Sequence, residues 1–157
     1  MPFAGPAEAR DAVYGFLVAG LSSKLPDWDA VIIFDDKQTP DPPEDMSPYI
    51  RAQFRHLRRE QSTVGGAGGR RFRAKFQLTL KVYTKLGSGM DDYSLDGGTT
   101  TLPGADTICQ ALLGVFDGKT TGVDQAQFYK ASSQEYGADE GRYRTNVLVQ
   151  GDYDTVR

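Results

Sequence analysis

The sequence predicts one α+β domain in which a mostly antiparallel five-stranded sheet carries two helices packed on one face. Two segments repeat apolar residues at helical spacing, five segments have the composition and period of strands, and glycine-rich turns separate them. At 157 residues the chain suits a single domain over residues 1–157. We find no internal repeat and no low-complexity linker that would divide it.

The first predicted helix runs from Pro6 to about Ser23. Its apolar residues recur at three- and four-residue spacing, namely Val13, Phe16, Leu17 and Leu21. Gly15 and Gly20 lower the intrinsic helix propensity, so packing against a sheet must supply most of its stability. The apolar run Val31–Phe34 then predicts a short buried strand.

Two alternating segments predict the centre of the sheet. Tyr49 to Arg59 has the period of a half-buried strand, and from Phe72 to Val82 every second residue is apolar without exception. This second strand should have one core face and one polar face. Between the strands, Gly65–Gly69 predicts a mobile hairpin tip, because glycines lack side chains that could anchor it.

The second half of the chain predicts one helix and two strands. The glycine-rich segment at about 86–101 is expected to project as a loop, and a helix should follow up to Phe116. Gln125 to Ser133 and Arg142 to Tyr153 predict strands joined through residues 134–141.

Charge is distributed unevenly along a chain whose net charge is -3. An acidic, proline-containing loop at about 35–48 carries Asp35, Asp36, Asp41, Glu44 and Asp45. From Arg51 to Lys85 the balance is basic. Three interpretations of this basic strand face remain open: a solvated face, an interface with acidic groups of another subunit, or contact with nucleic-acid phosphates.

The sequence offers little for catalysis or cofactor binding. His56 is the only histidine, and Cys109 lies in an apolar helical pattern typical of a core residue. Gly65–Gly69 lacks the Gly-Lys-Ser/Thr ending of a phosphate loop. We therefore expect no enzyme activity, no metal and no cofactor. Without a long apolar run or a signal-peptide pattern, we expect no membrane contact and synthesis in the cytoplasm.

Several short sequence motifs resemble those of the tail terminator, or tail completion, proteins of long-tailed bacteriophages and gene transfer agents. One is the basic and aromatic strand that closes with Val82-Tyr83-Thr84-Lys85-Leu86-Gly87. Others are Ala105-Asp106, which opens the second helix, and Val115-Phe116-Asp117-Gly118-Lys119, which ends it. The resemblance covers nearly the whole chain.

The resemblance implies a virion protein at the head-proximal end of the tail. Such proteins form a homohexameric ring that binds the tail-tube protein, stops tube growth, and offers a surface to the head-tail connector or stopper protein. DNA would pass through the bore and could touch it. A tail-tube or head-tail connector subunit, a DNA-binding module and a small hydrolase using His56 or Cys109 are the alternatives.

Three groups of residues would serve the ring. Subunit or tube contacts are expected from Arg51, Arg55, Arg70, Arg71, Arg73, Lys75 and Tyr83. Loops that order on docking are expected to include Gly65, Gly66, Gly68, Gly69, Asp91, Asp92 and Tyr93. The acidic loop would supply a third contact through Asp35, Asp36, Asp41, Glu44 and Asp45.

Overall fold

The computed structural model describes residues 5–35, 41–61, 71–95, 98, 100–117 and 126–156. In chain order the elements are α1 (Pro6–Lys24), β1 (Val31–Phe34), β2 (Tyr49–Gln61), β3 (Arg71–Lys85), β4 (Tyr93–Ser94), β5 (Thr101–Leu102), α2 (Ala105–Phe116), β6 (Ala126–Asp139) and β7 (Arg142–Val156). Five strands form one sheet in the order β1-β2-β3-β7-β6. The prediction of an α+β fold with two helices and a five-stranded sheet is confirmed.

The sheet is mixed, which corrects the prediction of a mostly antiparallel sheet. β1 pairs with β2 in parallel, with Val31 opposite Tyr49, whereas the other three pairings are antiparallel. Parallel neighbours need a connection that returns the chain to the end of the sheet from which it started. The long acidic loop between β1 and β2 makes this return.

Two further boundaries differ from the prediction. β6 continues to Asp139, so only Glu140 and Gly141 separate it from β7. Both residues have positive φ, of 53° and 79°, as a tight two-residue hairpin requires. In the segment expected to project after β3, β4 and β5 pair as a small second sheet.

One buried cluster holds the fold together. It contains residues of α1 and α2 together with alternate residues of β2, β3 and β7. The ring of Phe16 on α1 lies 5.8 Å from that of Phe116 on α2 and 5.4 Å from that of Phe128 on β6. Near β2, the Tyr14 hydroxyl accepts a hydrogen bond from the Phe54 N–H at 3.2 Å. α1 thus contacts strands in both halves of the sheet.

Gly20 allows α1 and α2 to approach closely. A Cβ at this position would lie 2.6 Å from Val115 Cγ1, whereas a Cβ at Gly15 would meet nothing within 4 Å. Valine is stiff at χ1, so Val115 cannot turn aside cheaply.

We expect Gly20→Ala to destabilise the fold by about 1–3 kcal/mol through overpacking. The matched change Gly15→Ala should instead stabilise it by about 0.5–1 kcal/mol, because alanine is the better helix former. Urea unfolding measures both, and adding Val115→Ala to Gly20→Ala should recover part of the loss. Equal effects at the two glycines would contradict this close packing.

Candidate interaction surfaces

The sheet presents a polar face on the side opposite to its main buried cluster. Residues that lie directly opposite one another on paired strands share a face, and here these pairs include Gln53 with Thr79, Arg55 with Gln77, and Lys75 with Asp152. We define the polar face as Arg51, Gln53, Arg55, Arg73, Lys75, Gln77, Thr79, Lys81, Asn146, Leu148, Gln150, Asp152 and Asp154.

Arg73 is held by two carboxylates of the neighbouring strand. Its Nη2 lies 2.6 Å from Asp152 Oδ1, and its Nη1 lies 3.1 Å from Asp154 Oδ1. Burial opposes the charged form, but the two carboxylates outweigh it and raise the pKa of Arg73. The strand expected to be a basic surface is therefore partly neutralised within the subunit by β7.

The remaining predicted contact residues fall into different environments. Arg51 makes an ion pair with Asp35, with Nε 3.5 Å from Oδ1, whereas Arg55 and Lys75 are exposed. The backbone of Arg71 pairs with Val156, and Arg70 lies outside the described residues.

Tyr83, predicted to contact another subunit, is instead buried in a second small cluster with Tyr49 and Ile33. The two tyrosine rings stack with their centroids 4.8 Å apart. The Tyr83 hydroxyl donates to Asp139 Oδ2 at 3.2 Å, and Arg144 donates to the same oxygen at 2.7 Å. Burial raises the pKa of Tyr83, which keeps its phenol protonated.

Arg142 anchors the acidic loop to the sheet. Only 7% of this residue is exposed, and its guanidinium lies over the Tyr49 ring, 4.9 Å from the centroid. Nη1 donates to the Ser47 carbonyl at 2.8 Å, and Nη2 donates to the Pro43 carbonyl. Arg142 was not among the residues that the sequence predicted to be functional, because the sequence shows only a cation in an otherwise amphipathic strand.

The acidic loop keeps its carboxylates at the surface. Asp41, Glu44 and Asp45 are exposed, and Asp36 lies outside the described residues. Asp45 accepts a hydrogen bond from the Ser47 N–H at 3.1 Å, and the bonds to Ser47 lower the pKa of this carboxyl.

The segment after β3 is tied into the fold. Asp92 Oδ1 accepts hydrogen bonds from the Gly104 N–H at 2.7 Å and from Thr107 Oγ1 at 2.6 Å, which holds the start of α2. Tyr93 is buried, and its hydroxyl donates to the Met46 carbonyl at 2.8 Å. Asp92 and Tyr93 thus have internal partners, while Asp91 is exposed. Gly65, Gly66, Gly68 and Gly69 lie outside the described residues.

Two clefts adjoin Trp28 near this end of the sheet. The first, of about 270 Å³, lies between the end of α1 and the start of α2. The second, of about 350 Å³, lies beside the acidic loop. Asp27 and Trp28 line both clefts. We call the two clefts together the Trp28 groove; beside Asp27 and Trp28 it is lined by Lys24, Leu25, Pro26, Asp29, Val31, Pro43, Asp45, Ser47, Pro48, Asp92, Thr101, Leu102, Pro103 and Thr107.

His56 and Cys109 have structural partners. The Tyr153 hydroxyl lies 2.7 Å from His56 Nδ1, and the histidine ring packs edge-on against Phe54. Burial raises the pKa of the Cys109 thiol to about 12, so this thiol stays protonated at neutral pH. Within the described ranges, no group of three or more His, Cys, Asp or Glu residues is arranged to hold a metal ion. Nor is any helix of these ranges long and apolar enough to cross a membrane.

Comparison with solved structures gives a distant structural similarity. No protein-family model matches the chain, and no curated protein matches it. Among solved structures, one chain whose name states no function superposes with a TM-score of 0.48 at 16% identity. The superposition covers 89% of this chain and 94% of the other, and at this TM-score it carries no argument.

We expect Arg142→Met to destabilise the fold by about 2 kcal/mol, because two loop carbonyls lose a charged donor. Arg142→Lys should recover only part of this loss, since an ammonium cannot reproduce the planar fork of the guanidinium. Urea unfolding measures the loss. The exposed Arg55→Met is the control, which should change stability by less than about 0.5 kcal/mol. An equal loss at both positions would contradict the anchoring role.

Stability should also depend on the protonation of His56. Burial and the charge of Arg10 lower the pKa of His56 below its ordinary value of 6.5. The unfolded chain therefore binds this proton more tightly, so stability falls as the pH drops through 6.5 and stops falling below the folded pKa.

Replacing the ring in His56→Gln should flatten the fall in melting temperature between about pH 7.5 and pH 5. Tyr153→Phe is the companion variant, because it removes the hydroxyl that shares a hydrogen bond with His56 Nδ1 and leaves the histidine. Thermal unfolding followed by circular dichroism gives the comparison. Unchanged pH profiles in His56→Gln would contradict the assignment.

Proposed function

We propose that this chain is a structural subunit that assembles into a ring, caps the end of a bacteriophage tail tube, and presents the surface to which the head is joined. The observation that carries the proposal is a long sheet whose polar face has no helix over it among the described residues, while its other face is buried. The resemblance of its motifs to tail terminator proteins supplies the identity of the tube.

Contacts of both helices with one apolar cluster support their packing on the same face of the sheet. Phe16 and Phe116 from the two helices meet each other and Phe128 of β6. Tyr14 reaches Phe54, whose ring stacks on Phe76 at 4.9 Å. These side chains belong to one apolar cluster, so the polar face has no helix over it among the described residues.

The two edges of the five-stranded sheet also support the proposal. β6 is the last strand of the sheet and is mostly exposed along its length. At the other edge, β1 covers only Tyr49 to Ala52 of β2, so the rest of β2 has no strand on that side in the described part of the chain. Contacts between unlike edges or ends are heterologous, and they form a closed ring when the rotation between subunits closes.

The charges on the polar face bear on how such a ring would act. Arg73 is already paired within the subunit, and among the described side chains of β2 and β3 Arg55 and Lys75 are exposed cations. A polar surface on which part of the positive charge is already paired suits contact with protein or passing DNA better than tight binding of a phosphate backbone. Capping then follows from shape, since one side of the ring matches the tube and the other offers the next tube subunit no complementary surface.

Negative-stain electron microscopy of the purified protein, alone and mixed with growing tail tubes, tests the proposal. We expect single rings alone, and in the mixture one ring at one end of each tube together with an arrest of tube lengthening. Completed tails serve as the control, because their ends are already occupied. Stacked rings or continuous tubes would favour a tube or connector subunit, and unaltered tube growth would overturn the capping role.

A further inference from the structure

The Trp28 groove combines apolar walls with an acidic rim. Prolines and leucines surround the indole of Trp28, and the described rim carries the exposed carboxylates Asp27, Asp29, Asp45 and Asp92 against the single cation Lys24. Such a groove suits a segment that brings an apolar side chain flanked by positive charges.

The same chain carries such a segment on β2. Leu57 lies at a register irregularity between His56 and Arg58, and half of its side chain is exposed, at 50%. Arg55 before it is exposed, and Arg58 and Arg59 follow it in the strand. β1 does not extend along this part of β2.

A subunit cannot place this segment in its own groove. Pro48, directly before β2, lines the groove, and Leu57 lies eight residues beyond the first residue of the strand. An extended strand rises ~3.3 Å per residue, which separates the two features by about 26 Å. The groove and its complement therefore lie far apart along β2, as a head-to-tail contact between copies requires.

We propose that Leu57 and the exposed Arg55 of one copy dock in the Trp28 groove of a second copy. The apolar contact is Leu57 against Trp28 and the groove prolines, and Arg55 meets Asp27 and Asp29. Because each copy keeps one free groove and one free Leu57 segment, the contact propagates until the ring closes. This inference rests on the self-assembly in the proposed function, but not on its tail-tube partner.

A mixing experiment tests the contact. Leu57→Asp removes the apolar side chain but keeps the groove, and the double variant Asp27→Lys with Asp29→Lys reverses the groove charge but keeps Leu57. We expect each variant alone to be monomeric in sedimentation velocity, and an equal mixture to form heterodimers through the one intact pair. Leu86→Asp, at a leucine that is 47% exposed and outside the groove, is the matched control and should assemble like the wild type.

Trp28 is the only tryptophan, so its fluorescence reports directly on the groove. A synthetic peptide of residues 53–61 should shift the emission of the Leu57→Asp protein. The same peptide carrying Leu57→Asp should bind about tenfold more weakly or worse. Circular dichroism checks that each protein variant is folded.

The outcomes separate this contact from the proposed function. Assembly of Leu57→Asp like the wild type, a monomeric wild type, or a mixture that stays monomeric would each overturn the contact. If wild-type rings form without this contact and still arrest tube growth, the contact fails and the proposed function stands. If the contact is demonstrated but tube growth continues, the contact stands and the capping role falls.

Discussion

The strict alternation of β3 is the constraint on which the rest of the structure depends. β3 is the middle strand of the sheet, and Phe76, Leu78, Leu80 and Val82 are all fully buried at every second position. A slip of one residue would turn this whole apolar set to the polar face, so the register with both neighbours is strongly specified. The helices are stabilised by packing on these apolar side chains of β3, and this matters most for α1, whose helix propensity is lowered by Gly15 and Gly20.

The register of β3 with β7 also decides the electrostatics of the polar face. It places Arg73 opposite Asp154 and next to Asp152, two residues that come at the end of the chain. The resulting ion pairs are half exposed, so their contribution to stability is modest, and their main effect is to balance charge on the face. Among the described side chains of this face, Arg55 and Lys75 stay exposed beside neutral glutamines and threonines.

The loops at the start of β2 and the end of β3 are parts of the fold rather than additions to it. Arg142 fixes the acidic loop, Asp92 fixes the start of α2, and Tyr93 joins the two segments through the Met46 carbonyl. This end of the molecule is rich in carboxylates, whereas the far half of β2 carries arginines. Distinct ends are what a heterologous assembly needs, because identical surfaces would pair two copies and stop.

The sequence by itself determined the number and kind of the main elements, because hydrophobic period and turn residues are local properties of the chain. The period of two from Phe72 to Val82 and the helical spacing around Leu17 and Leu112 were sufficient for this. Only the tertiary structure decided that β1 runs parallel to β2, that Asp152 and Asp154 neutralise Arg73, and that Tyr83 and Tyr93 are buried. Each of these depends on which distant segments lie side by side, and periodicity within one segment carries no information about its neighbour.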